Sequence, residues 1–194
     1  MKKCKICVKI ALSEKNGGTA MHNNSEVNIE IEKKYIIAMP DVSELEDSEG
    51  YSCSEILQIY LPSSDGSTHR VRKRVTDGVA VYTETRKIRI DRMSSTEIEG
   101  EIGSERFEEL AAAPLENTSP IRKVRHVFFY LGQKFEIDIY PQWKDTAILE
   151  TELDSREREV VFPRFIKILR DVTGDRQYSN AGMSRAFPKE DALV

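Results

Sequence analysis

Apolar and charged residues alternate along most of the chain, which is the pattern of β-strands with two different faces. The first such run is VNIEIEKK at residues 27–34. Similar runs follow at residues 56–61, 70–75, 80–91, 97–102, 123–130, 135–140 and 149–153. Thr76-Asp77-Gly78 and Leu131-Gly132-Gln133 have the composition of turns between neighbouring runs. The pattern therefore predicts about eight strands.

Three helices are predicted among these strands. They span residues 104–113, with Ser104 as N-cap, residues 154–161 and residues 163–169. The acidic stretch 41–50 is expected to form a loop or a short solvated helix, and the segment after Gly174 is expected to be irregular. Helices of this kind could cover the apolar face of a sheet.

The chain has 194 residues, which suits one sizeable domain. We expect this domain to span residues 26–194 and residues 1–25 to form a flexible extension. Cys4 and Cys7 form an incidental C-x-x-C, because no second pair of metal ligands follows at a suitable spacing. No run approaches the roughly 20 apolar residues of a membrane span. These features predict a reduced, cytoplasmic protein with no membrane partner.

Charged residues make up 32% of the chain, and their signs are segregated from strand to strand. The acidic runs lie at residues 97–101, 136–138 and 150–152, and the basic runs lie at residues 70–74 and 123–125. An ordinary sheet would turn these charges to solvent. A barrel with outer helices would instead enclose them, with a cation among its carboxylates and an anion among its arginines. The net charge of −4 argues against a stable nucleic-acid partner.

The segment Glu30-Ile31-Glu32-Lys33-Lys34 resembles the signature of the CYTH superfamily, also called the triphosphate tunnel metalloenzymes. Further matches follow in order along the chain. They are the Arg-x-Arg run at 70–74, Thr85-Arg86-Lys87, Glu97 with Glu99, Lys123 with Arg125, residues 135–138, Glu150 with Glu152, and residues 172–180. The resemblance covers residues 29 to about 185. Ser95-Thr96 and Arg176 depart from the family pattern.

The resemblance implies a closed eight-stranded antiparallel barrel, a tunnel open at both ends with a charged lumen and helices packed outside. It implies that Mg²⁺ or Mn²⁺ is held by Glu30, Glu32, Asp138, Glu150 and Glu152. It also implies that phosphate oxygens are held by Lys34, Arg70, Arg72, Arg74, Lys87, Lys123 and Arg125, although the two arginines of β-strand 70–74 that match the family pair are left open. The catalytic candidates are Lys34, Lys87, Glu97, Glu150 and Glu152.

These residues predict a metal-dependent triphosphatase that acts on a small molecule containing a triphosphate. Inorganic triphosphate is the leading substrate, because no aromatic cluster marks a pocket for a base. Trp143 could stack on an organic group or simply cover the barrel mouth. The alternatives are a class IV-type adenylate cyclase and a non-catalytic module that binds polyphosphate or nucleotide. Homodimerisation is left open.

Overall fold

Nine strands form one sheet in a computed structural model that describes the backbone of residues 26–190 and the side chains of residues 30–190. The strands are β1 (Glu26–Ala38), β2 (Glu49–Leu61), β3 (Thr68–Thr76), β4 (Val79–Arg89), β5 (Ser94–Glu101), β6 (Ile121–Tyr130), β7 (Gln133–Ile139), β8 (Thr146–Leu153) and β9 (Ile168–Asp171). Eight of them follow the order β5-β4-β3-β2-β6-β7-β8-β1, and β1 also pairs with β5. This pairing closes the predicted antiparallel barrel.

The long strand β1 closes the barrel because different strands use its two halves. Residues 26–31 pair with β5, while residues 31–38 pair with β8 on the opposite edge. Where β5 ends, the short strand β9 pairs with residues 35–37 of β1. Every residue of β1 therefore has a partner strand on at least one edge.

Only one of the three predicted helices forms. Helix α2 (Ser104–Ala111) is present, but its N-cap is Gly103, which makes no side-chain cap hydrogen bond. The predictions of helices at 154–161 and 163–169 are wrong, because residues 154–167 form turns and irregular chain and residues 168–171 form β9. The acidic stretch contains helix α1 (Val42–Glu46), and the segment after Gly174 contains a 3₁₀ turn (Arg176–Tyr178) and helix α3 (Asn180–Arg185). Among the described residues, no helix is long and apolar enough to cross a membrane.

The outer face of the barrel carries two apolar clusters. The larger includes Tyr35, Phe128, Phe135, Ile137 and Leu149, and it is covered by Leu45 of α1 and by the chain around Ile166. The smaller is formed by Leu61 and Val71 with Phe107 of α2. Cover over the larger cluster thus comes largely from an extended segment rather than from helices. Ile98 of β5, on the same apolar face of the sheet, remains 38% exposed.

The inner face is charged along most of the barrel and apolar at one end. Because side chains alternate along a strand, Ile36 shares the inner face with Lys34, and Ile148 shares it with Glu150. Both isoleucines are fully buried in a cluster with Tyr60, Ile121, Tyr140, Trp143, Val172, Tyr178 and Met183. The chain from β9 through α3 therefore packs against this inner end. Sequence alternation predicted the charged lumen but not its apolar end.

Candidate active site

The barrel encloses a cavity of about 600 Å³, and eleven of the predicted site residues line it. These are Glu30, Glu32, Lys34, Arg70, Arg72, Arg74, Lys87, Glu97, Arg125, Glu150 and Glu152. They come from six different strands, which are β1, β3, β4, β5, β6 and β8. Lys123 and Asp138 are buried outside this lining. The closed sheet therefore gathers residues separated by more than a hundred positions into one charged chamber.

The arginines of β3 differ in depth and in partners. Arg70 lies 3.5 Å from Glu97 and 3.8 Å from Glu99, measured from its guanidinium to their carboxylate oxygens. Arg74 is exposed at the end of the strand. Arg72 lies between them and forms no ion pair with any residue that the structure describes. Arg70 and Arg72 are consequently the inner pair, which addresses the choice among the three arginines that the sequence left open.

The strand neighbours of Arg72 are two neutral polar residues, and each of them has one buried atom without a partner. These residues are Gln58 on β2 and Thr83 on β4. Within residues 30–190, the buried side-chain atoms without a hydrogen-bond partner are Arg72 Nε, Arg70 Nε, Gln58 Oε1 and Thr83 Oγ1. Burial and repulsion from Arg70 lower the pKa of Arg72 to about 10. A buried cation without a counter-ion is costly, so this strip is suited to receive an anion.

A cluster of carboxylates lies elsewhere in the lining. Glu32 and Glu152 are directly opposed on β1 and β8. Burial and the nearby Glu97 raise the pKa of Glu30 to about 7, although Lys87 opposes this. Burial also raises the pKa of Glu152, and Glu136 and Glu32 add to the shift while Lys134 opposes it. These shifts are the mark of carboxylates that repel one another in a poorly solvated site.

The carboxylates fit a divalent metal by their chemistry, since a hard cation takes oxygen ligands and would remove this repulsion. They are not already drawn together as a metal centre. Among the described residues, no group of three or more carboxylate, histidine or cysteine side chains has the spacing to hold an ion. The pairing of several of these glutamates with lysines explains the separation. A metal would have to bring Glu30, Glu32 and Glu152 closer than they lie here.

Two lysines bridge the carboxylates across the chamber. Lys34 Nζ lies 2.8 Å from Glu150 and 3.3 Å from Glu32. Lys87 Nζ lies 2.6 Å from Glu97 and 3.2 Å from Glu30. Although burial opposes it, the neighbouring Glu150 and Glu32 raise the pKa of Lys34. Both lysines therefore remain protonated and can hold a phosphate oxygen as well as a carboxylate.

Arg125 is fixed by a buried network behind the lining. Its Nε and Nη2 each lie 2.7 Å from an oxygen of Asp138, and its Nη2 also lies 2.7 Å from Glu150. Asp138 is fully buried and also accepts a hydrogen bond from Lys123. Burial raises the pKa of Asp138, but Arg125 and Lys123 lower it more. Asp138 thus holds two cations in this structure, which differs from the metal-ligand role that the resemblance implied.

Several lining residues were not among the candidate site residues. They include Tyr60, Glu99, Lys134, Glu136, Arg89, Arg92, Arg176 and Arg185. Glu99 and Glu136 belong to the acidic runs that alternation placed in the lumen, although no role was assigned to either residue. Tyr60 gave no such signal, because a tyrosine in an apolar strand reads as core. Trp143 is 4% exposed, and its ring packs against Tyr140 and Phe187. It is therefore a packing residue and cannot stack on a ligand here.

No family model matches the sequence, and no curated protein matches it. Solved structures do match. The inorganic triphosphatase NE1496 has 25% sequence identity and a TM-score of 0.54, with 82% of this chain and 96% of that chain covered. The PH1819 protein from Pyrococcus horikoshii OT3 has 20% identity and a TM-score of 0.50, with 66% of this chain and 80% of that chain covered. The first match confirms the resemblance predicted from the ordered motifs, and the second supports the fold alone.

Proposed function

We propose that this chain, which resembles the triphosphate tunnel metalloenzymes in its motifs and its barrel, is a metal-dependent triphosphatase that acts on inorganic triphosphate. One observation carries the proposal. The chamber contains an inner arginine, Arg72, without a carboxylate partner, and a separate group of carboxylates, Glu30 and Glu152, without enough cations. A metal-bound polyanion supplies the missing charge at both places. The similarity to the inorganic triphosphatase NE1496 supports the same reaction class.

The basic side chains would position the phosphate chain. Arg70 and Arg72 can each hold two oxygens in a planar fork, whereas Lys34 and Lys87 act as single-point contacts. Most donors of Arg125 are taken by Asp138, Glu136 and Glu150, which leaves it one N–H for a phosphate oxygen. Phosphoryl transfer depends mainly on positioning and charge neutralisation. Cationic side chains on several sides of the phosphate chain are therefore expected in such a site. Arg125 reaches the chamber with its orientation fixed by Asp138, so it needs little reordering when the substrate binds.

Glu30, Glu32 and Glu152 would hold the Mg²⁺ or Mn²⁺. The ion would supply neutralisation of phosphate charge and a more acidic bound water. Glu150 serves a different purpose. Burial raises its pKa, but Lys34 and Arg125 lower it far more, so Glu150 stays ionised near neutrality. It can therefore accept a hydrogen bond from the attacking water and orient it, without taking the proton at ordinary pH.

The shape of the chamber favours a substrate without an organic group. Among the described residues that line the chamber, Tyr60 is the single aromatic residue. The inner end is filled by Ile36, Tyr140 and Ile148, which are at most 1% exposed. A purine would need a stacking surface that this lining does not provide. Inorganic triphosphate needs only cationic side chains and a metal ion, and the lining offers lysines and arginines for the phosphates and carboxylates for the metal.

The experiment that tests the proposal compares products. Purified protein is incubated with Mg²⁺ or Mn²⁺ and with tripolyphosphate, ATP or thiamine triphosphate, and phosphate, pyrophosphate and cyclic AMP are measured. Phosphate release from tripolyphosphate that stops in excess chelator is the expected result. Cyclic AMP from ATP would indicate the class IV cyclase reaction instead. Binding of tripolyphosphate without turnover under any metal would indicate a non-catalytic binding module.

A further inference from the structure

Tyr60 is a buried cavity residue that the mechanism above does not use. Its ring belongs to the apolar cluster at the inner end of the barrel, with Ile36, Tyr140 and Ile148. Tyr60 nevertheless also lines the charged chamber. The residue therefore lies at the boundary between the dry end of the barrel and its ionic centre, with 4% of its surface exposed.

The hydroxyl of Tyr60 has one partner among the described residues. It accepts a hydrogen bond from Gln58 Nε2 at 2.5 Å. Accepting this bond leaves the phenolic proton without an acceptor. Burial raises the pKa of Tyr60 despite the nearby Arg70, Arg72 and Lys34, so the proton is retained at neutral pH. A neutral donor is thus held within reach of three cations, where an anion is the natural acceptor.

Arg70 lies directly beside Tyr60 in the β2–β3 pairing, and Gln58 lies beside Arg72. The Gln58 amide, the Tyr60 hydroxyl and the two guanidiniums therefore form one continuous row of donors. On the far side of Tyr60 the interior is closed by Ile36, Tyr140 and Ile148. A phosphate that reaches the row cannot carry a substituent further in that direction.

We infer that the Tyr60 hydroxyl donates a hydrogen bond to an unesterified terminal phosphate, which makes Tyr60 a specificity-determining residue for linear triphosphates. The inference rests on the proposed function. The free end of the phosphate chain would then lie at the apolar inner end of the chamber, beside Tyr60. Cyclic triphosphate has no terminal phosphate and should gain little from Tyr60.

The test measures binding by calorimetry without divalent metal, using linear tripolyphosphate and cyclic trimetaphosphate as probes. Tyr60→Phe should weaken tripolyphosphate binding by about tenfold or more, as expected for a lost hydrogen bond to a charged group. The same change should weaken trimetaphosphate binding much less. Tyr140→Phe is the matched control, because its hydroxyl is also buried in the apolar cluster but donates to Asn180 Oδ1 at 2.8 Å. It should lower the melting temperature and leave both dissociation constants unchanged.

The outcomes separate this inference from the proposed function. Unchanged tripolyphosphate binding in Tyr60→Phe, together with weakened binding in Arg72→Met, would overturn the role of Tyr60 and leave the function standing. Equal losses for the linear and cyclic anions would overturn the terminal-phosphate assignment. If the unmodified protein binds neither anion, and added Mg²⁺ or Mn²⁺ does not restore binding, the proposed function fails as well. Melting temperatures of all variants show whether each one is folded.

Discussion

Replacement of Arg72 by methionine should stabilise the empty protein and weaken its ligand binding. Methionine retains much of the length of the side chain and removes the charge. Arg72 has no carboxylate partner among the described residues, whereas Arg70 and Arg125 each have at least two. Glu99 and Glu97 attract Arg72 from a distance, but burial and repulsion from Arg70 outweigh this attraction in the empty barrel. Only an anion in the chamber would make its charge favourable.

The magnitude follows from its pKa. Burial and the proximity of Arg70 lower the pKa of Arg72 from its usual range to about 10. At about 1.4 kcal/mol per unit, this corresponds to a destabilisation of about 3 kcal/mol. The folded-state pKa is depressed and Arg72 is protonated in both states near neutrality, so the penalty is constant between about pH 5 and pH 9. Removal of the charge should raise the free energy of unfolding by up to this amount, or roughly 2–4 °C in melting temperature per kcal/mol.

The opposite effect is expected on binding. A charge-assisted hydrogen bond contributes about 1.5–3 kcal/mol, so the dissociation constant for tripolyphosphate should rise roughly ten- to a hundredfold. Calorimetric titration and thermal unfolding, with and without tripolyphosphate, measure both quantities. Arg122→Met is the control, because Arg122 is exposed on the outer face of β6 and should change neither. A variant at Arg72 that melts lower and binds as before would show that Arg72 is structural, and the reasoning would be refuted.

Three further changes test other parts of the barrel. Ile137→Ala should leave a cavity in the fully buried outer cluster, which costs about 2–5 kcal/mol in unfolding experiments, while the dissociation constant for tripolyphosphate stays the same. Because the pKa of Glu30 is raised to about 7, its penalty is absent below about pH 4.5 and complete above about pH 7. The free energy of unfolding should therefore fall as pH rises through this window. Glu30→Gln or added Mg²⁺ should make the melting temperature depend less on pH. Asp138→Asn should cost about 3–5 kcal/mol, since it leaves two buried cations with too little negative charge, and denaturant titration measures it.

The strands of this fold were predictable because each one carries two chemically distinct faces. Alternation with a period of two is specific over six or more residues, and all eight barrel strands showed it. The segments 154–161 and 163–169 contain only two and four apolar residues, which is too few to distinguish a helical period from an extended one. Their conformation is set by tertiary contacts. Phe162 and Phe165 pack against the outer cluster, and residues 168–171 pair with the free edge of β1.

Much of the site was predictable for the same reason, since alternation places every second residue of a strand inside the barrel. What the sequence could not predict was the pairing across the lumen. Lys34 with Glu150 and Lys87 with Glu30 are contacts between strands distant in sequence, and their geometry depends on the register of closure. The burial of Asp138 behind Arg125 depends on the same register. It shows that an acidic position in the family pattern can serve a cation of the protein itself.

Stability and function lie on opposite faces of the same strands in this barrel. On β7, Phe135 and Ile137 are fully buried outside, while Glu136 and Asp138 meet Arg125 inside. The outer apolar belt can hold the sheet closed even though the inner face contains charges that repel one another. The unpaired charge of Arg72 and the incompletely neutralised charge of Glu30 do not weaken the sheet at its packed face, so the barrel can keep them ready for a ligand. The effect of mutation should therefore alternate along each strand. Substitution of an outward apolar residue should lower the free energy of unfolding, and substitution of the next, inward residue should weaken phosphate binding.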